Sequence, residues 1–82
     1  MTETHPFLPL PVRYRAARHR VIRSYQADLG QRAAAACFAR CLEDLRQLGL
    51  QGNALIIAAE HMATSRLRQR LQAHQQRPMA TV

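Results

Sequence analysis

The chain has 82 residues, enough for one small domain, and a domain of this size buries only about 60–65% of the surface its unfolded chain exposes. Two cysteines in a chain without tryptophan exclude a disulfide-stapled scaffold, so a helical core rich in alanine and leucine must hold the fold together. The formal charge of +7 is carried on the basic side by arginine alone, and it points to nucleic acid, an acidic protein surface or anionic lipid without choosing among them.

In chain order, residues 1–11 contain Pro6, Pro9 and Pro11 around Phe7, Leu8 and Leu10, which predicts an extended proline-rich arm. The opening Met1-Thr2-Glu3-Thr4-His5 has neither a basic cluster nor an apolar run, so no secretory leader is expected. A first helix is predicted over 12–27, with Pro11 in its first turn, where the missing N–H costs nothing. Tyr14, Ala17, Val21 and Tyr25 share its narrow apolar face. Five arginines fall between positions 13 and 23, interleaved with Tyr14, His19 and Tyr25, making this the segment most suggestive of function.

Gly30 decides whether positions 12–48 form one long helix or two. Glycine within a helix costs about 1 kcal/mol relative to alanine, and Asp28 with Gln31 has the spacing of a capping box, so a break is favoured. The second helix, 29–48, gives the strongest periodic signal. Ala34, Cys37, Phe38, Cys41, Leu45 and Leu48 fall within a sector roughly 100° wide, as a core-facing stripe requires. Arg40 lies opposite that stripe with Glu43 and Asp44 within one turn of it. Gly49 is suited to the left-handed position that ends a helix, with Leu50 folding back onto the last turn, and Asn53 is the expected N-cap of a third helix over 54–76. That helix starts apolar on nearly every side, from Leu55 to Ala59, and then narrows to Ala63, Leu67 and Leu71 flanked by Arg66, Arg68 and Arg70. Residues 77–82 read as a flexible tail.

The expected fold is therefore all-α, a helical hairpin or three-helix bundle in one domain over 12–76. It is expected to dimerise in order to complete a small core. A DNA-reading helix-turn-helix is disfavoured, because Leu55, Ile56 and Ile57 stand where such a motif needs polar side chains. No run is long and apolar enough for a membrane span, and the protein is expected in the cytoplasm with both thiols reduced.

Chemistry is sparsely signalled. Cys37 and Cys41 lie one helical turn apart, and a hairpin pivoting between Leu50 and Gln51 would bring Cys41 opposite Glu60 and His61. Cys37, Cys41 and His61 would give a metal three ligands with no obvious fourth, so buried structural thiols are expected in preference to a metal site or redox pair, and no cofactor is expected. Neither serine sits in a nucleophile pattern, the histidines are dispersed and the carboxylates are few, so the protein is not expected to be an enzyme. Two interaction readings stay open. One is a small adaptor or regulator that binds an acidic protein partner through an apolar seam and an arginine-rich surface. The other is a nucleic-acid binder that contacts phosphates. Both rest on Arg13, Arg15, Arg20 and Arg23, with Tyr14 and Tyr25 between them and Arg66 and Arg70 on the third helix.

Overall fold

The computed structural model describes residues 9–75, which fold into three helices: α1 (Leu10–Leu29), α2 (Gln31–Gln47) and α3 (Gly52–Gln75). No strand occurs among the described residues, and each helix packs against the other two. Most of the proline-rich arm and the tail lie outside them. Leu10 and Pro11, assigned by sequence to that arm, already belong to α1, with Pro11 in the first turn as expected.

The chain breaks at Gly30, at φ 94° and ψ 146°, a conformation essentially confined to glycine. Its N–H closes α1 by donating to the Gln26 carbonyl, and its own carbonyl accepts from Ala34 to open α2. One residue therefore serves as the end of one helix and the start of the next. The capping box expected of Asp28 and Gln31 does not form: Asp28 lies inside α1, and α2 starts without a side-chain cap. The second reversal follows the sequence closely. Gly49, at φ 98°, donates to the Arg46 carbonyl, while the Leu50 N–H reaches back to Leu45, the paired bonds of a Schellman motif. Asn53 does not cap α3 either, because the helix begins one residue earlier and the Asn53 amide oxygen accepts from Arg13 instead.

The core is continuous across the three helices. Ala17, Val21 and Ile22 come from α1; Ala34, Cys37, Phe38, Cys41, Leu42 and Leu45 from α2; Leu55, Ile56, Ala59, Ala63 and Leu67 from α3. Phe38, Leu67, Val21 and Cys41 are the largest fully enclosed side chains, and each apolar one of that size stabilises the fold by roughly 1.5–3 kcal/mol. The predicted α2 stripe is buried except for Leu48, which is 74% exposed because α2 ends at Gln47 and the chain turns away. Ile57, also expected inside, is 57% exposed: Leu55, Ile56 and Ala59 already face the other two helices, which leaves position 57 on the outer side. Among the described residues no helix is long and apolar enough to cross a membrane.

Candidate functional site

The arginines divide into two sets according to what they meet. On the α1–α3 side, Arg13 donates to the Asn53 Oδ1 at 2.6 Å and Arg20 grips the Glu60 carboxylate through Nε and Nη2 at 2.6 and 2.7 Å. The Tyr25 hydroxyl donates to the Thr64 carbonyl at 3.4 Å. Partners about 40 positions apart, rising together, mean that α1 and α3 run parallel, with α2 antiparallel to both. The hydrogen bonds from Arg20 hold the Glu60 carboxyl below its ordinary range despite partial burial, and the Arg20 guanidinium is correspondingly raised. On the α2–α3 side, Arg66 donates to Asp44 at 3.2 Å and to the Cys41 sulfur at 3.5 Å; the Asp44 hydrogen bond raises its pKa. Arg40 and Arg46 pair within α2 with Asp44 and Glu43. These contacts join helices or stitch one helix to itself, so Arg20 and Arg66, singled out for a partner, are engaged inside the bundle.

The second set faces outward on the α1–α2 side. Arg15, Arg18, His19 and Arg23 line a depression over α1 that reaches Gln31. An adjoining groove between α1 and α2 is lined by Arg18, Arg32 and Gln31 at one end and by Tyr14 and Ala39 towards the other, and Arg18 and Gln31 belong to both. The two therefore form one surface. Arg15, Arg18, Arg23 and Arg32 are exposed and form no ion pair with any described residue, and no carboxylate lines either depression. The positive end of the α2 dipole adds to the potential where α2 begins. Arg70 and Arg68 are exposed on α3 and line neither depression.

Of the two tyrosines, Tyr25 is half-buried and tied to Thr64, while the Tyr14 ring has one side against Phe38, centroids 5.7 Å apart and tilted by 44°, and stays 38% exposed. Arg18 and Arg32 had no special standing in the sequence. Their signal was the break at Gly30, which folds α2 back along α1 and brings positions 18 and 32 to one groove.

The cysteines sit at the centre of the core, both free and buried. Cys37 lies level with Ala63, its sulfur 3.9 Å from that carbonyl, so the hairpin register agrees with a pivot near Leu50. The rotation of α3 about its axis differs from what a ligand set requires. Ala59 and Ala63 face the core, which turns Glu60 to Arg20 and leaves His61 exposed beside Leu45 and Met62. Cys37, Cys41 and His61 are thus not gathered, and no group of three or more His, Cys, Asp or Glu placed to hold a metal ion exists among the described residues. Burial, reinforced by Cys37, pushes the Cys41 thiol up to about 11.

No protein-family model, no curated protein and no solved structure matches this chain.

Proposed function

We propose that the bundle is a non-enzymatic interaction module, an adaptor or regulator, that binds an acidic protein surface through its α1–α2 side. One observation carries this reading: Arg15, Arg18 and Arg32 line a continuous surface with no carboxylate among the described residues, Arg23 standing at its edge where a second depression reaches Glu60, while Arg20, Arg40, Arg46 and Arg66 have acidic partners within the bundle. Guanidinium groups pair bidentately with carboxylates, and such a patch steers an acidic partner into one orientation. Arg13, Tyr14 and Tyr25 then help to build the surface by holding α1 in place. The non-enzymatic reading draws support from the commitment of Glu43, Asp44 and Glu60 to arginines and from a Cys41 thiol that stays protonated at neutral pH. We place the module in the cytoplasm, where buried free thiols remain reduced, and expect it to work as a homodimer.

The second reading, phosphate contact with a nucleic acid, draws on the same four arginines. It ranks lower because Tyr25 is engaged inside the bundle, which leaves Tyr14 as the single exposed ring of the pair for a base to stack on. A charge-matched pair of variants separates the two. Arg18→Glu with Arg32→Glu reverses the proposed surface, and Arg68→Glu with Arg70→Glu makes the same change in net charge on α3. Binding of fluorescent poly-glutamate and of a duplex DNA is followed over a salt series. The acidic-partner reading requires at least tenfold weaker poly-glutamate binding in the first variant and less than threefold in the second. Equal losses would reduce the effect to bulk charge. Tighter binding to duplex, weakened uniformly over sequences by the first variant, would give the surface to nucleic acid instead.

A further inference from the structure

We infer that the α1–α2 surface receives a helix, an acidic amphipathic segment of the protein partner, laid along the groove in one direction; this rests on the acidic-partner reading above. Charge complementarity chooses the occupant. Arg18 and Arg32 rim the groove without a carboxylate partner among the described residues, so carboxylates on the incoming segment would meet guanidinium groups that none of those residues neutralises. The shape of the groove favours a helix. From Arg32 to Ala39 the α2 side of the groove presents nothing longer than a methyl group, from Ala35, Ala36 and Ala39. Two helices approach to about 8 Å between axes only where side chains at the contact are small.

The two ends of the groove differ, so a segment whose carboxylates lie at one end docks in the single orientation that brings them to Arg18 and Arg32. Tyr14, 38% exposed and backed by Phe38, offers an aromatic surface beside Ala39, while the opposite end holds Gln31, Arg32 and Arg18. A segment with carboxylates in its first or last two turns and small apolar residues elsewhere on one stripe satisfies both ends at once. A second copy of this chain does not fit, because the same face on two copies would set arginine against arginine.

The test is a selection of random 15-residue displayed peptides on the full chain, followed by fluorescence anisotropy of the recovered sequences. Each is measured against wild type, Arg18→Glu, Ala36→Trp and Ala39→Trp, with circular dichroism confirming that the exposed alanine replacements leave the bundle folded. Expected are peptides with carboxylates gathered at one end and apolar residues three and four apart. A central proline in the peptide should weaken binding at least tenfold, and so should either tryptophan that fills the groove. Acidic peptides that tolerate both the proline and the tryptophans would overturn the helix and leave the acidic-partner reading standing. Peptides without carboxylates, or insensitive to Arg18→Glu, would overturn both, and so would an empty selection from a protein that still binds duplex DNA through Arg18.

Discussion

Replacing Gly30 by alanine should strain the joint between α1 and α2 and make the bundle prone to exchange its first helix between copies. At φ 94° and ψ 146°, nothing lies within 4 Å of where the new Cβ would stand, so the penalty is in the backbone alone, about 1–3 kcal/mol. A continuous α1–α2 helix would remove that strain and also gain about 1 kcal/mol from alanine over glycine. Opposing it is the loss of α1 packing. Exposing Val21 and Ile22, with Ala17, costs roughly 4–6 kcal/mol in a single chain, so the monomer should keep its bent form and simply be less stable. Two straightened chains can restore that burial by packing each α1 against the other's hairpin, and the balance then shifts with concentration. The assay pairs thermal unfolding with light scattering over a hundredfold range of concentration. A loss of about 2 kcal/mol lowers Tm by roughly 8–16 °C for a domain of this size. Gly49→Ala, also at positive φ, is the control: it should lower Tm without adding a concentration-dependent species, since residues 48–51 all lie outside helices and one alanine does not join α2 to α3. An unchanged Tm and mass for Gly30→Ala would refute the assignment of the bend to this glycine.

Acid should weaken the bundle through Glu60. Its pKa is depressed in the fold by Arg20, so its contribution is complete above the ordinary carboxylate range and is lost as pH falls through the lower folded value; Glu60→Gln should flatten that part of the stability profile. With Arg20 largely exposed, the pair contributes no more than about 1 kcal/mol, a change readable in urea melts. Alkali acts with the opposite sign through Cys41, held as a thiol up to about 11 against an ordinary 9.0. Between those values the unfolded chain releases the proton and the folded one keeps it, so stability should fall on the order of 1–2 kcal/mol as pH rises, and Cys41→Ala should remove the slope. For the proposed homodimer, the apolar surface around Ile57, Ala58 and Met62 on the α2–α3 side is the expected contact; Ile57→Glu should then yield monomer by light scattering, and wild type that is already monomeric at 100-fold dilution steps up to about millimolar would end the proposal.

The parts of the fold that one helix encodes by itself were legible. Cys37, Phe38, Cys41 and Leu45 are placed by a period of 3.6, and the Gly49 reversal by the demands of a single residue's φ. What one helix cannot encode is its rotation about its own axis once two neighbours compete for its apolar side. Leu48 and Ile57 were assigned inward by periodicity and composition, and a helix end and a third neighbour decided otherwise. The same limit applied to the arginines. Arg20 and Arg66 stood out in the sequence as readily as Arg15 and Arg23, because spacing along α1 or α3 carries no information about Glu60 or Asp44 on another helix.

That division has a consequence for how the charge is used. Glu60 on α3 and Asp44 on α2 draw Arg20 and Arg66 into contacts that orient the helices, so these two acids are engaged on the α1–α3 and α2–α3 sides. The excess of positive charge is then left unevenly distributed, and no described carboxylate lines the two α1–α2 depressions that hold Arg15, Arg18, Arg23 and Arg32. A surplus spread evenly over the bundle would give only diffuse attraction, screened within about 8–10 Å at physiological ionic strength. Gathered beside an alanine-lined groove, the same charges act over contact distances, where the direction of a docked segment matters, and a partner can be recognised by the order of its side chains as well as by its total charge.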